Sequence, residues 1–206
     1  MGGFFITFEG IDGCGKSTQI DLFHQRLVSE GLDVLLVREP GGTPISEEIR
    51  KIVLDNKNTR MCGETELLLF MAARAQIVRE LIEPAIAEGK IVLCDRHIDS
   101  SVAYQGFGRR IGQRIVDGLN AFAVGTTRPD LTYLFDIDPI VAESRLAGRP
   151  QAKDRLDEES FGFMSRAREG YLQIAKEEPQ RVRVLNAEMS IEDLSREIYR
   201  IFREVR

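Results

Sequence analysis

No stretch of this chain is long and apolar enough to cross a bilayer. The longest apolar run, Leu67 to Ala73, falls far short of the roughly 20 residues that a membrane helix needs. The amino terminus also lacks a basic segment followed by a secretory apolar region, so the sequence predicts a cytoplasmic protein. Cysteine is scarce: Cys14, Cys62 and Cys94 are three in number and widely spaced, which excludes a disulfide framework and a zinc pattern and suits reduced thiols. A basic excess is missing as well. With a net charge of −5 and a pI near 5.3 the chain is no general polyanion or nucleic-acid binder, so cations serving an anionic ligand must be placed locally. There is no Pro/Ser-rich linker, no like-charge block and no internal repeat. The 206 residues, 43% of them apolar, therefore read as one domain (1–206) able to bury a substantial core.

What is present alternates between short β-branched or aromatic runs and longer segments of helical period, the pattern of an α/β fold with a parallel sheet covered on both faces. The five expected strands are Phe4–Glu9, Val34–Arg38, Ile91–Asp95, Leu131–Asp136 and Val182–Asn186. Helices are expected over 16–30, 45–54, 64–88, 112–124, 140–147, 158–177 and 191–204, with Pro84 kinking the third. Directly after the first strand stands Gly10-Ile11-Asp12-Gly13-Cys14-Gly15-Lys16-Ser17, a complete G-x-x-x-x-G-K-[ST] phosphate loop. Its glycines let backbone N–H groups fold around a phosphate chain, and the following helix adds its positive end. Lys16 reaches the β- and γ-phosphates, and the Ser17 hydroxyl suits Mg²⁺. The ATP-binding set is thus Gly10, Ile11, Asp12, Gly13, Cys14, Gly15, Lys16, Ser17 and Thr18. Cys14 sits among backbone dipoles beside Lys16, which activates a thiol that solvent reaches and leaves a buried one inert.

The phosphate loop is shared by ATPases, GTPases and kinases. The missing Asn-Lys-x-Asp base reader argues against a regulatory GTPase, since Asn56-Lys57-Asn58-Thr59 lacks the Asp. Arg38 ends the second strand and Arg96 follows the third, where open α/β sheets hold ligands. Asp95, closing an apolar strand, fits either a Mg²⁺-holding carboxylate or a simple cap.

Further motifs identify a resemblance. They are Phe8-Glu9-Gly10-Ile11-Asp12-Gly13, Arg38-Glu39-Pro40-Gly41-Gly42-Thr43, Phe70-x-x-x-Arg74, Asp95-Arg96-His97 with Ser100-Ser101 and Ala103-Tyr104-Gln105-Gly106, Arg128-Pro129-Asp130-Leu131, and Asp154-Arg155. In this combination, over nearly the whole chain, the sequence resembles the thymidylate kinases. The resemblance implies a P-loop fold of the nucleoside monophosphate kinase type, MgATP and dTMP as substrates, dTDP and ADP as products, and a homodimer formed through apolar helix faces. It places Arg38 and Arg96 on the dTMP phosphate, Asp12 on the sugar 3′-hydroxyl, Tyr104 against C2′, and Arg74 on thymine O4. Phe70, which the pattern alone reads as core, is placed on the base, with Ser100, Ser101 and Gln105 as polar contacts. Metal binding falls to Ser17 and Asp95. Catalytic roles fall to Lys16, Arg96 and lid arginines within 146–157, namely Arg149 and Arg155, because Gly13 supplies no cation in the loop. Arg145 either stacks on adenine or lies on a solvated helix face. His97, beside Arg96, reads as a packed or hydrogen-bonded support, with a proton shuttle as the alternative. The competing readings are another monophosphate kinase, accepting dUMP or dGMP, and a nucleotide-binding regulator without transferase activity. Arg38, Arg74 and Arg96 argue against the regulator.

Overall fold

The computed structural model describes residues 2–148, 154–156 and 159–206. Its centre is β1 (Phe4–Glu9), which pairs in parallel with β3 (Ile91–Asp95) on one side and β4 (Leu131–Asp136) on the other. β2 (Val34–Arg38) and β5 (Val182–Asn186) complete a five-stranded parallel sheet of order β2-β3-β1-β4-β5. All five strands have the limits expected from the sequence. Alternate residues of a strand face opposite ways, so β1 feeds two cores. Ile6 and Phe8 join Leu93, Tyr133 and Phe135 on one face, while Phe5 joins Val92, Cys94 and Val78 on the other. Parallel strands buried on both faces need apolar residues at successive positions, which is why these runs are legible without alternation.

The helices are α1 (Lys16–Ser29), α2 (Pro44–Leu54), α3 (Gly63–Ile77), α4 (Glu83–Ala87), α5 (Ile98–Ser101), α6 (Gln113–Val124), α7 (Pro139–Ala147), α8 (Phe161–Glu177) and α9 (Ile191–Val205). Among the described residues no helix is long and apolar enough to cross a membrane. Two differences from the expected pattern matter. The helix expected over 64–88 is divided by a wide π-helical stretch, Val78–Ile82, immediately before Pro84. Proline lacks an N–H and crowds the carbonyl of the preceding turn, so the helix widens there.

The second difference is a helical segment absent from the sequence reading: α5 continues into a π-helical stretch, Val102–Gly108. Ser100, Ser101, Gly106 and Gly108 make this a poor helix on propensity. Packing against α8 overrides that. A Cβ on Gly170 of α8 would lie 2.8 Å from the Phe107 ring, so only glycine allows the two segments to approach this closely. α8 also starts three residues later than the expected 158, with the Ser160 side chain accepting from Phe163 N.

Candidate active site

The phosphate loop links β1 to α1 and turns at Gly13, φ 87°. A Cβ there would lie 2.5 Å from the Ala142 carbonyl oxygen, so the loop is pressed against α7 as well as curved. Lys16 Nζ donates to Gly10 O (3.2 Å) and contacts Cys14 Sγ (3.6 Å). Cys14 is buried, which removes the solvent access a reactive thiol needs. Ser17 and Thr18 are exposed at the head of α1.

Because β3 lies beside β1, its end delivers Asp95 and Arg96 next to this loop, with Arg96 N donating to Phe8 O (3.0 Å). Arg96 adopts a left-handed backbone, φ 68°, rare for a residue with a side chain. Its guanidinium donates to Asp12 Oδ1 (2.6 Å), Gly10 O (3.0 Å) and the hydroxyls of Tyr171 (3.1 Å), Ser100 (3.3 Å) and Tyr104 (3.3 Å). Tyr104 also donates to Asp12 Oδ2 (2.9 Å). Burial raises the Asp12 carboxyl, but the charges of Arg96 and Lys16 outweigh it and bring the pKa down to about 2. Behind Arg96, buried Glu9 accepts from Ser100 Oγ (2.5 Å), His97 N (2.7 Å) and Tyr171 OH (2.9 Å). Burial, then the negative charge of Asp99, outweighs these donors and lifts Glu9 to about 7.

These groups open on a cleft lined also by Arg38, Phe70, Arg74, Asp95, Ser101 and Gln105. The structure thus brings together every acceptor-side residue expected from the sequence. Arg38 donates to Pro40 O (3.0 Å) and pairs with Glu47 (2.9 Å), keeping its exposed guanidinium at the rim. Arg74 lies at the far end, 1% exposed. Asp95 Oδ1 is buried with no hydrogen-bond partner among the described residues. An orphaned carboxylate oxygen in a cleft that Ser17 also lines matches the oxygen-donor preference of Mg²⁺.

Two expected arginines among the described residues are not brought to this cleft. Arg145 lies on α7, its Nη1 donating to Ala187 O (3.1 Å). Arg155 is turned away from the phosphate loop: Nε donates to Val53 O (2.8 Å) and Nη2 to Glu66 (2.5 Å), which ties the segment 154–156 to α2 and α3. Arg149 lies outside the described residues, as does much of the expected lid at 146–157.

The structure also adds residues that the sequence reading missed. Arg50 of α2 lines the cleft and donates to Pro40 O (2.9 Å); its amphipathic helix gave it the look of a solvated charge. Its guanidinium pKa is lowered by burial and by Arg38, the electrostatic mark of cations gathered for an anion. Glu66, fully buried, accepts from Gln105 (2.8 Å), Arg109 (2.9 Å) and Arg155. No local signal marks it, since its three partners all lie far from it in the chain. Glu39, Cys94 and His97 place ligand-type atoms within 4.8 Å of one another. They do not form a metal centre. Glu39 is already committed to Arg74 and His97, the Cys94 thiol donates to Arg96 O (3.0 Å), and burial pushes that thiol's pKa well up.

Comparison with known proteins agrees with this geometry. The sequence profile of the thymidylate kinase family matches residues 8–198. The chain is 47% identical over 198 residues to the thymidylate kinase of Kosmotoga olearia, covering 96% of this chain and 94% of that protein. It is 48% identical over 195 residues to that of Geobacter sulfurreducens, covering 92% of each. The crystal structure of thymidylate kinase from Ehrlichia chaffeensis superposes with a TM-score of 0.79 at 35% identity, covering 98% of this chain and 99% of that one. With a phosphate loop and a strand-end arginine meeting over one cleft, and similarity along nearly its full length, this chain belongs to the thymidylate kinase family.

Proposed function

We infer that this protein transfers the γ-phosphoryl group of ATP to dTMP, giving ADP and dTDP, and that the cleft between the phosphate loop and Arg74 is where dTMP lies. The observation that carries this reading is the contact of Arg96 with Asp12, which places an acceptor-side cation against the donor loop. A phosphate monoester has a second pKa near about 6, so its attacking oxygen is anionic at neutral pH and needs no protein base. That oxygen bonds to the γ-phosphorus as the bond to the bridging oxygen breaks, and ADP leaves with the electron pair. The protein's task is to align two polyanions and to balance charge spreading over the transferred group. Arg38, Arg50 and Arg96 hold the acceptor phosphate, and Lys16 with the loop N–H groups holds the donor chain. Mg²⁺, held by Ser17 and Asp95, supplies Lewis-acid neutralisation of the β- and γ-oxygens when bound.

At the sugar, Asp12 accepts from the 3′-hydroxyl, and Tyr104 beside it leaves no room for a 2′-hydroxyl. Phe70 stacks on the base, with Ser101 and Gln105 as polar neighbours. Within one domain, segment 146–157 serves as a lid, with Arg149 its catalytic cation and Arg155 its anchor. Exposed Leu68 on α3 and Ile115 and Phe122 on α6 support a homodimer through these helices. A coupled assay of ADP release with and without each nucleoside monophosphate tests the whole reading. Activity confined to another monophosphate, or none with any, would refute it.

A further inference from the structure

Arg74 is the most enclosed cation of the cleft, and its surroundings restrict it more than a base reader requires. A guanidinium has five N–H donors in one plane. Nε donates to Glu39 Oε2 (2.7 Å), Nη1 to Asn120 Oδ1 (2.7 Å) and Ser101 Oγ (2.9 Å), and Nη2 to His97 O (2.8 Å). These four bonds leave a single N–H, on Nη2, for a ligand. Its direction is fixed by acceptors contributed from three separate parts of the chain: Glu39, the segment 97–101 and Asn120 of α6.

Two of the four bonds trace to one unit. Glu39 Oε2 takes the Arg74 Nε–H, and Glu39 Oε1 lies 2.7 Å from His97 Nδ1. Glu39 Oε2 is committed to a guanidinium, beside which Glu39 stands as a carboxylate able only to accept, so the bond it shares with His97 is donated by Nδ1. His97 is clamped in turn. Its backbone N donates to Glu9 (2.7 Å), its carbonyl accepts from Arg74, and its ring packs edge-on against Phe5 with centroids 5.0 Å apart. His97 Nε2 is buried with no partner among the described residues. A buried ring that leaves one nitrogen unsatisfied is a costly way to fill space. Its retained function is the bond from the other nitrogen.

We propose that the buried Glu39–His97 pair is a specificity-determining positioning element, which sets the plane of Arg74 and aims its one free N–H at the acceptor's pyrimidine edge. This rests on the reading of Arg74 as the group that meets the base. A fixed donor favours a carbonyl at the base's 4-position and opposes an amine there. An arginine free to tilt loses that contrast, because its remaining donors find other acceptors and water enters.

The test measures kcat and KM for dTMP, dUMP and dCMP at saturating ATP in wild type, Glu39→Gln, His97→Asn, His97→Phe and Arg74→Ala. Thermal unfolding and ATP affinity verify each fold. Glu39→Gln is expected to raise KM for dTMP by about tenfold or more and to lower the dTMP/dCMP ratio of kcat/KM to match, with kcat at saturation changed far less. His97→Asn, which presents an N–H near the position of Nδ1, should keep the ratio, and His97→Phe should lower it. If Glu39→Gln fails to fold, the two His97 variants decide. An unchanged ratio in Glu39→Gln and His97→Phe, or equal loss on all three nucleotides, overturns the proposal while leaving the base reader intact. A wild-type ratio preserved in Arg74→Ala removes Arg74 as reader, and inactivity of wild type on dTMP removes the function itself.

Discussion

Arg96 Nη2 lies 2.6 Å from Asp12 Oδ1, and it reaches that carboxylate from a left-handed backbone at φ 68°. The conformation costs an L-residue roughly 1–2 kcal/mol, and the many bonds of its guanidinium offset it. Arg96→Ala and Arg96→Gly should both lose dTMP affinity and turnover, because both remove the proposed ground-state contact to the acceptor phosphate. They should differ in stability: glycine accepts the left-handed region, so Arg96→Gly should be more stable than Arg96→Ala by about 1 kcal/mol. Chemical denaturation of the pair gives the comparison. Equal stabilities would show that the backbone at this position relaxes once the side chain is gone.

Base choice follows from the donors at Arg74. Loss of the C5-methyl alone should cost roughly 1–3 kcal/mol in kcat/KM, while the reversed hydrogen-bonding edge of cytosine should cost more. The expected order is dTMP, then dUMP, then dCMP. Comparable rates on dTMP and dCMP would remove Arg74 from the base-reading role.

Glu9 makes a pH prediction with a definite sign. Its carboxyl is raised from 4.5 to about 7, so between those values the native state keeps a proton that the unfolded chain has released. The native state is therefore penalised as pH rises from 4.5, and fully so above 7. Glu9→Gln should be nearly neutral below pH 4.5 and stabilising above pH 7, by about 3 kcal/mol at most. Denaturation curves at pH 4.5 and pH 8 measure the gap. A gain that does not grow with pH would mean that Glu9 is already ionised in the native protein.

Arg149 and Arg155 should separate in their effects. Arg155 is bonded to buried Glu66 and to the Val53 carbonyl, so Arg155→Ala should destabilise the protein by about 1–3 kcal/mol. Arg149→Ala should instead lower kcat much more than it weakens dTMP binding, since a lid cation acts on the transferred group. Steady-state kinetics with calorimetric dTMP affinity reads both. Unchanged kcat in Arg149→Ala would place the catalytic cation elsewhere.

Thiol chemistry should be confined to Cys62, the one exposed cysteine; Cys14 and Cys94 are buried. Alkylation of the native enzyme, followed by peptide mapping, should find Cys62 modified and ATP turnover unimpaired. Rapid labelling of Cys14 with loss of activity, prevented by ATP, would show that the phosphate loop opens to solvent.

The strands and the phosphate loop were readable from sequence because each is a local signal: runs such as Ile91–Asp95 are buried on both faces, and the loop glycines stand at fixed spacing. Arg38 and Arg96 were marked by their place at strand ends and Arg74 through a family motif, and the three meet in one cleft. The helical stretch through Val102–Gly108 was hidden because packing of Phe107 on Gly170 overrides weak propensity. Glu66 and the Glu39–His97 pair were hidden for another reason. A buried carboxylate announces itself only through its partners, and theirs lie 35 or more residues away in the chain.

The pairing of Phe8 with Asp95 across adjacent strands has a consequence for how such an enzyme diversifies. Neighbouring parallel strands keep a spacing of about 4.8 Å through backbone hydrogen bonds alone. The sheet thus acts as a ruler between donor loop and acceptor cation, indifferent to side-chain change. The groups proposed to face the nucleobase are carried instead by α3, α5 and the stretch after it. Substitutions there can retune which base is accepted without moving the atoms that exchange the phosphoryl group.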